Sequence, residues 1–108
     1  MNRLCTLLTL ALLTTHSLAQ PDPSTVESRA RKLINAQGCK ACHSLQGAGA
    51  RLAPKLENVV QRLTADQIRL SLTNPLKTHT DGSIPDFSHL STDEVTDLVQ
   101  FLSSFNQP

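Results

Sequence analysis

Cys39-Lys40-Ala41-Cys42-His43 is the stretch of this 108-residue chain that decides its interpretation. Two cysteines separated by two residues and followed directly by a histidine are typical of a c-type haem attachment site. Each thiol can form a thioether with one vinyl group of the haem, and the imidazole of His43 lies on the same short turn, from which it can bind the iron. The motif therefore predicts one covalently attached haem c.

The same two cysteines could instead belong to another kind of site. Cys39 and Cys42 alone would suit a redox dithiol or a structural disulfide, and export of the chain would favour a disulfide. The adjacent His43 argues against both. A zinc site is a weaker alternative, because the sequence has no second CxxC and no paired-histidine motif.

The N-terminal segment reads as a secretory signal peptide. A positive start at Arg3 is followed by the apolar run Leu4 to Leu13 and then by Ser17-Leu18-Ala19, which has small residues at the positions that a signal peptidase reads. The apolar run is too short to span a bilayer, which needs about 20 residues. The sequence thus predicts a signal peptide over residues 1–19, a periplasmic domain over residues 20–108, and no transmembrane anchor.

The composition excludes some classes of function. Removal of Arg3 with the signal peptide leaves equal numbers of basic and acidic residues, and the chain has no basic block and only three aromatic residues, all Phe. A nucleic-acid-binding role is therefore not expected. So few aromatic side chains make a thin core for a domain of this size, and a buried porphyrin would supply apolar mass.

The remaining pattern predicts an all-α domain of about four helices. Three capping boxes mark helix starts at Ser24, Thr64 and Ser91. A further short helix is expected over residues 55–63, and loops over residues 45–54 and 76–88. No strand-like alternation is present. The apolar positions expected to face the core of the first and last helices are Val26, Ala30, Leu33, Ile34, Leu98, Val99, Phe101, Leu102 and Phe105.

This order of elements resembles a class I cytochrome c over essentially the whole of residues 20–108. The residues that carry the resemblance are the CxxCH motif, Gly47, Gly49, Ala53-Pro54, Asn74-Pro75, Ile84-Pro85 and the Leu98 to Leu102 helix. The resemblance implies a small cytochrome c fold and an electron carrier that is not an enzyme. Its partners would be redox proteins, and it would be either a free carrier or the cytochrome subunit of a larger periplasmic oxidoreductase.

The resemblance also implies roles for individual residues. Cys39 and Cys42 would hold the haem, and His43 would be the proximal iron ligand. The carbonyl group of Pro54 would accept a hydrogen bond from the other ring nitrogen of His43, which would raise the basicity of the ligand. Phe101 would pack where the first and last helices cross.

The distal side departs from the family pattern. Many members place a methionine directly before a proline upstream of the last helix, but this position is Ile84, and the chain's only methionine is Met1. The sequence leaves three alternatives: His79 as distal ligand, an open site with Ile84 packed over the haem, or another side chain such as His89 or Lys77. An open iron would bind small gaseous ligands, whereas a second histidine would suit electron transfer.

Overall fold

The first helix begins at a threonine whose side chain caps it. In a computed structural model, which describes residues 22, 24–74, 85 and 87–106, helix α1 spans Val26–Ala36. Thr25 is the N-cap residue, and its hydroxyl oxygen accepts a hydrogen bond from the amide of Ser28 at 3.1 Å. The expected capping box at Ser24 is therefore wrong by one residue. Asp22 explains the shift, because its carboxylate binds the amide of Ser24 at 2.8 Å and holds that residue in a turn before the helix.

A short hairpin follows α1 and was not expected from the sequence. The chain passes through a 3-10 helix, Cys39–Ala41, into strands β1 (Ser44–Leu45) and β2 (Ala48–Gly49), which pair antiparallel. Gln46 and Gly47 connect the strands, and both have positive φ angles, 47° and 86°. Such a pair of residues is the signature of a type I′ turn, which matches the twist of paired strands. With only two residues in each strand, the fold class remains all-α as predicted.

Two further elements lead into the last helix. The short helix expected over residues 55–63 is a 3-10 helix, Leu56–Gln61. Helix α2 spans Ala65–Thr73 and helix α3 spans Thr92–Ser103, with a 3-10 turn, Ser104–Asn106, after it. Both capping boxes are confirmed, since Thr64 and Ser91 each exchange reciprocal hydrogen bonds with the residue at position N3.

The core lies where α1 and α2 pack against α3. Apolar side chains recur at helical spacing on one face of each helix, so burying these faces together removes them from water. Ile34 on α1 is 1% exposed, and Phe101 on α3 is 4% exposed with its ring edge-on to that of Phe105 at 5.2 Å. The buried apolar residues are Ala30, Ile34, Leu45, Leu56, Val59, Ile68, Val95, Leu98, Val99, Phe101 and Leu102.

Two arginines on α1 tie this helix to the elements around it. The guanidinium group of Arg29 on α1 binds both carboxylate oxygens of Asp97 on α3, at 2.7 and 2.8 Å. The guanidinium carbon of Arg31 lies 5.0 Å from the ring centre of Phe101. Arg31 also donates to the side-chain oxygen of Gln46 at 2.5 Å, so it links α1 to both α3 and the hairpin turn.

Candidate functional site

The CxxCH motif is wound into a single tight turn. Gly38 has a φ angle of 71°, which ends α1 and turns the chain into the 3-10 helix Cys39–Ala41. The amides of Cys42 and His43 both donate to the carbonyl oxygen of Cys39, at 3.3 and 3.0 Å. This winding brings both thiols and the imidazole onto one short segment. Both thiols are free, with Cys39 half-buried and Cys42 exposed.

His43 is oriented by the carbonyl group of Pro54. The Nδ1 atom of His43 lies 2.6 Å from that oxygen. A carbonyl oxygen can only accept a hydrogen bond, so Nδ1 carries the proton and donates it. The neutral imidazole then keeps its lone pair on Nε2, which is the nitrogen left to bind a metal. A carbonyl oxygen that accepts this proton fixes the tautomer of a histidine ligand and raises its basicity.

The segment between β2 and Pro54 lies against the CxxCH turn through backbone hydrogen bonds. The amide of Ala50 donates to the carbonyl oxygen of Lys40 at 2.9 Å. The amides of Leu52 and Ala53 both donate to the carbonyl oxygen of Cys42, at 3.0 and 2.9 Å. Residues 50–53 therefore set the position of Pro54 relative to the turn that carries His43.

The two thiols differ in their surroundings. Burial raises the pKa of the Cys39 thiol, because desolvation disfavours the thiolate. Cys42 is exposed, and the amide of Leu52, an apolar residue that is itself 82% exposed, donates to its carbonyl oxygen. Two free thiols, followed directly by an imidazole whose Nδ1 is bonded to a carbonyl oxygen, fit the requirements of haem c.

Comparison with protein families agrees with this geometry. Residues 27–106 match the model of the family described as Cytochrome c. The chain belongs to the cytochrome c family. Members of this family carry electrons through a covalently bound haem c, typically one per chain and attached at CxxCH, so the predicted fold, family and cofactor are confirmed. No solved structure matches the chain significantly.

Cytochrome c proteins are in general electron carriers and not enzymes. Membership in the cytochrome c family therefore supports neither of the alternatives for Cys39 and Cys42, a thiol-disulfide protein or a zinc protein. Within residues 22, 24–74, 85 and 87–106, no group of three His, Cys, Asp or Glu side chains is arranged to hold a metal ion. Among the same residues, no helix has the length and apolar character needed to cross a membrane.

The structure brings together four of the six site residues expected from the sequence. Cys39, Cys42, His43 and Pro54 lie in one hydrogen-bonded unit. The other two, His79 and Ile84, lie outside the described residues, and so does the alternative ligand Lys77.

His89, the other alternative ligand, is exposed, and its Nε2 atom lies 2.7 Å from the side-chain oxygen of Gln37. Since an amide oxygen can only accept, Nε2 of His89 carries a proton. In this arrangement Nε2 has no lone pair for iron.

Sequence reasoning named Gly49 only as part of the resemblance, without a role at the site, and it missed Arg31. Gly49 lies against the backbone of His43, and Arg31 binds the hairpin turn at Gln46. Gln46-Gly47 was a usable signal for a hairpin, although weaker than the Asn-Gly or Asp-Gly pairs that favour a type I′ turn. No local pattern marks the contact between Arg31 and Gln46, because the two residues are 15 positions apart.

Proposed function

We propose that this chain is an exported monohaem electron carrier in which Cys39 and Cys42 hold the haem and His43 is the proximal iron ligand. The observation that carries the proposal is the hydrogen bond from His43 Nδ1 to the carbonyl oxygen of Pro54, 2.6 Å long, on the residue that follows two free thiols. When bound, haem c supplies an iron that gains and loses one electron.

The side chains of this chain set the conditions of that electron exchange. The bond to Pro54 keeps the proton of His43 on Nδ1 and makes the ligand nitrogen Nε2 more electron-donating, which favours the ferric iron. A covalent link at both cysteines holds the group in one place, so little rearrangement accompanies the change in charge. The partners would be redox proteins, among them a larger oxidoreductase subunit.

For the distal position we propose His79. Ile84, directly before Pro85, has no donor atom at the position where many members of the family carry a methionine, so any sixth ligand comes from another residue. His89 is disfavoured because Gln37 occupies its Nε2. An iron with two histidine ligands would be low-spin, with a potential below that of a His/Met iron, because a thioether ligand raises the potential.

A second function is favoured by the same isoleucine. If Ile84 packs over the iron and His79 does not reach it, the distal side would be open to small gaseous ligands such as CO or NO. The protein would then be a ligand-binding haem protein.

Export to the periplasm is part of the proposal and rests on the sequence of residues 1–19. The mature protein would begin at Gln20. N-terminal sequencing of the protein secreted from a cell that attaches haem c tests this directly, and a chain that retains Met1 would contradict it.

The experiment that tests the function is an absorption spectrum of the mature protein, ferric and ferrous, with and without CO, together with a potentiometric titration. We expect the haem to stay attached to the protein after denaturation. We also expect a low-spin spectrum that CO does not change, and a reversible one-electron couple. A high-spin spectrum that shifts with CO would instead support the ligand-binding function. Protein without covalent haem would overturn both.

A matched pair of variants tests the role of His43. His43→Ala should lose the low-spin spectrum while both cysteines remain able to hold the haem. Lys40→Ala changes a residue of the same motif without changing a thiol or the imidazole, and it should retain the wild-type spectrum. Equal spectra for the two variants would show that His43 is not the ligand.

A further inference from the structure

Gly49, the last residue of β2, lies against the main chain of His43. Its φ angle is 115°, a region that residues with a side chain rarely adopt. A methyl group at this position would overlap the carbonyl oxygen of His43 and would lie 3.1 Å from the Cβ atom of Lys40 and 3.2 Å from the Cα atom of Ser44. The nearest neighbours of such a methyl group are therefore two backbone atoms, one in His43 and one in Ser44, and the first side-chain carbon of Lys40.

We propose that Gly49 is a positioning residue for His43: the absence of a side chain lets β2 approach closely enough for Pro54 to reach the imidazole. The proposal rests on the proposed role of His43 as iron ligand. It assigns a function to a residue that has no side chain of its own.

Backbone hydrogen bonds hold the whole segment from Gly49 to Pro54 against the CxxCH turn. The amide of the next residue, Ala50, binds the carbonyl oxygen of Lys40 at 2.9 Å, and the amides of Leu52 and Ala53 bind that of Cys42. The carbonyl oxygen of Pro54 then accepts the proton of His43 Nδ1. A methyl group at Gly49 would push β2 away from the CxxCH turn. The displacement would extend along the segment to Pro54 and would move its carbonyl oxygen away from His43.

The expected consequence is a change in the reduction potential of the haem iron. A longer bond between His43 and Pro54 makes the imidazole a poorer electron donor, which stabilises ferrous relative to ferric iron. The reduction potential should therefore rise. The Nδ1 proton should also exchange faster with solvent, because its acceptor is farther away.

Gly47 provides a matched control in the same hairpin. Its φ angle is 86°, so an alanine there is also strained, but a methyl group would meet no atom within 4 Å. Gly47→Ala thus tests backbone strain alone, and Gly49→Ala tests strain together with the collision against His43.

The test measures the haem-bearing protein as wild type, Gly47→Ala and Gly49→Ala. Spectroelectrochemical titration gives the potential, and NMR of the ferrous state gives the exchange rate of the His43 Nδ1 proton. We expect Gly49→Ala to shift the reduction equilibrium by up to about tenfold, which is about 59 mV for one electron, and to speed proton exchange, while Gly47→Ala changes neither. Equal values for the two variants, or a lower potential in Gly49→Ala, would overturn the proposal. A wild type without a reversible couple would defeat the proposed function instead.

A second variant decides the outcome if Gly49→Ala carries no haem. Lys40→Gly/Gly49→Ala removes the contact with the Lys40 side chain and leaves the collision with the His43 carbonyl group. The proposal predicts that haem loading stays lost in the double variant while Gly47→Ala loads normally. Recovery of loading would overturn it, because the crowding would then lie at Lys40.

Discussion

The Nε2 atom of His89 lies 2.7 Å from the side-chain oxygen of Gln37, a contact between residues 52 positions apart. Gln37 caps the C-terminus of α1, directly before the glycine that leads into the CxxCH turn, and His89 lies just before α3. The bond therefore connects the approach to the haem-binding motif with the start of the last helix. Because of this bond, the Nε2 atom of His89 is not available to bind the iron.

The first prediction separates His79, the proposed distal ligand, from His89. His89→Ala should leave the low-spin spectrum and the response to CO unchanged, and it should lower the free energy of unfolding by about 1 kcal/mol at most, the value of one hydrogen bond. His79→Ala should give a high-spin iron that binds CO. Absorption spectra of both variants check this, and a change of spin state in His89→Ala would contradict the bond to Gln37.

The second prediction concerns the start of α1. Thr25→Ala removes the hydroxyl group that accepts from the amide of Ser28, so the free energy of unfolding should fall by about 1 kcal/mol. Ser24→Ala is the matched control, since the contacts of Ser24 with Asp22 and Arg29 run through its backbone. It should change stability by less than about 0.5 kcal/mol. Urea denaturation of both variants checks this, and the reverse order would place the cap at Ser24.

Thr25 also shows what local sequence patterns can and cannot predict. The caps at Thr64 and Ser91 were predicted correctly, because the residues that decide them lie within one turn and have no competitor. At the first helix, Asp22 competes for the amide of Ser24, and the helix begins one residue later. A capping pattern therefore locates a helix start reliably only where no preceding side chain binds the same amide.

The candidate site, too, could be predicted from local sequence patterns only in part. The CxxCH spacing was enough to predict the cofactor, and the resemblance to a cytochrome c pointed to the bond between His43 and Pro54. The hairpin escaped prediction because each strand has only two residues, too few to show alternation. The contacts of Gln37 with His89 and of Arg31 with Phe101 depend on how the helices pack, which no local pattern specifies.

The third prediction concerns Arg31, which lies over the ring of Phe101 and binds both Glu27 and Gln46. Arg31→Lys keeps the positive charge but loses the planar group that makes these contacts at once. We expect the free energy of unfolding to fall by about 1 kcal/mol. Chemical denaturation measures the change. The exchange Lys32→Arg, at the exposed neighbouring position, should have no effect, and equal effects of the two substitutions would show that Arg31 acts only through its charge.

The last prediction concerns Asp97 and acid. The hydrogen bonds from Arg29 hold the pKa of the Asp97 carboxyl group below its ordinary value of 3.8. A carboxyl group with a lowered pKa in the folded state stabilises the fold at pH values above its unfolded pKa, and this contribution is lost as the pH falls through the folded pKa. Asp97→Asn should therefore be less stable than wild type at neutral pH, and the difference should shrink once the pH is below 3.8.

Urea denaturation of the haem-bearing protein across this pH range measures the difference between wild type and Asp97→Asn. Asp93→Asn is the control, because it removes the same negative charge from the same helix, four residues before Asp97 and in the first turn of α3. Its effect on the acid dependence should be smaller, since the bidentate contact of Arg29 is made with Asp97. A stability difference for Asp97→Asn that stays constant from neutral pH to acid would show that the carboxylate charge at this helix crossing does not stabilise the fold.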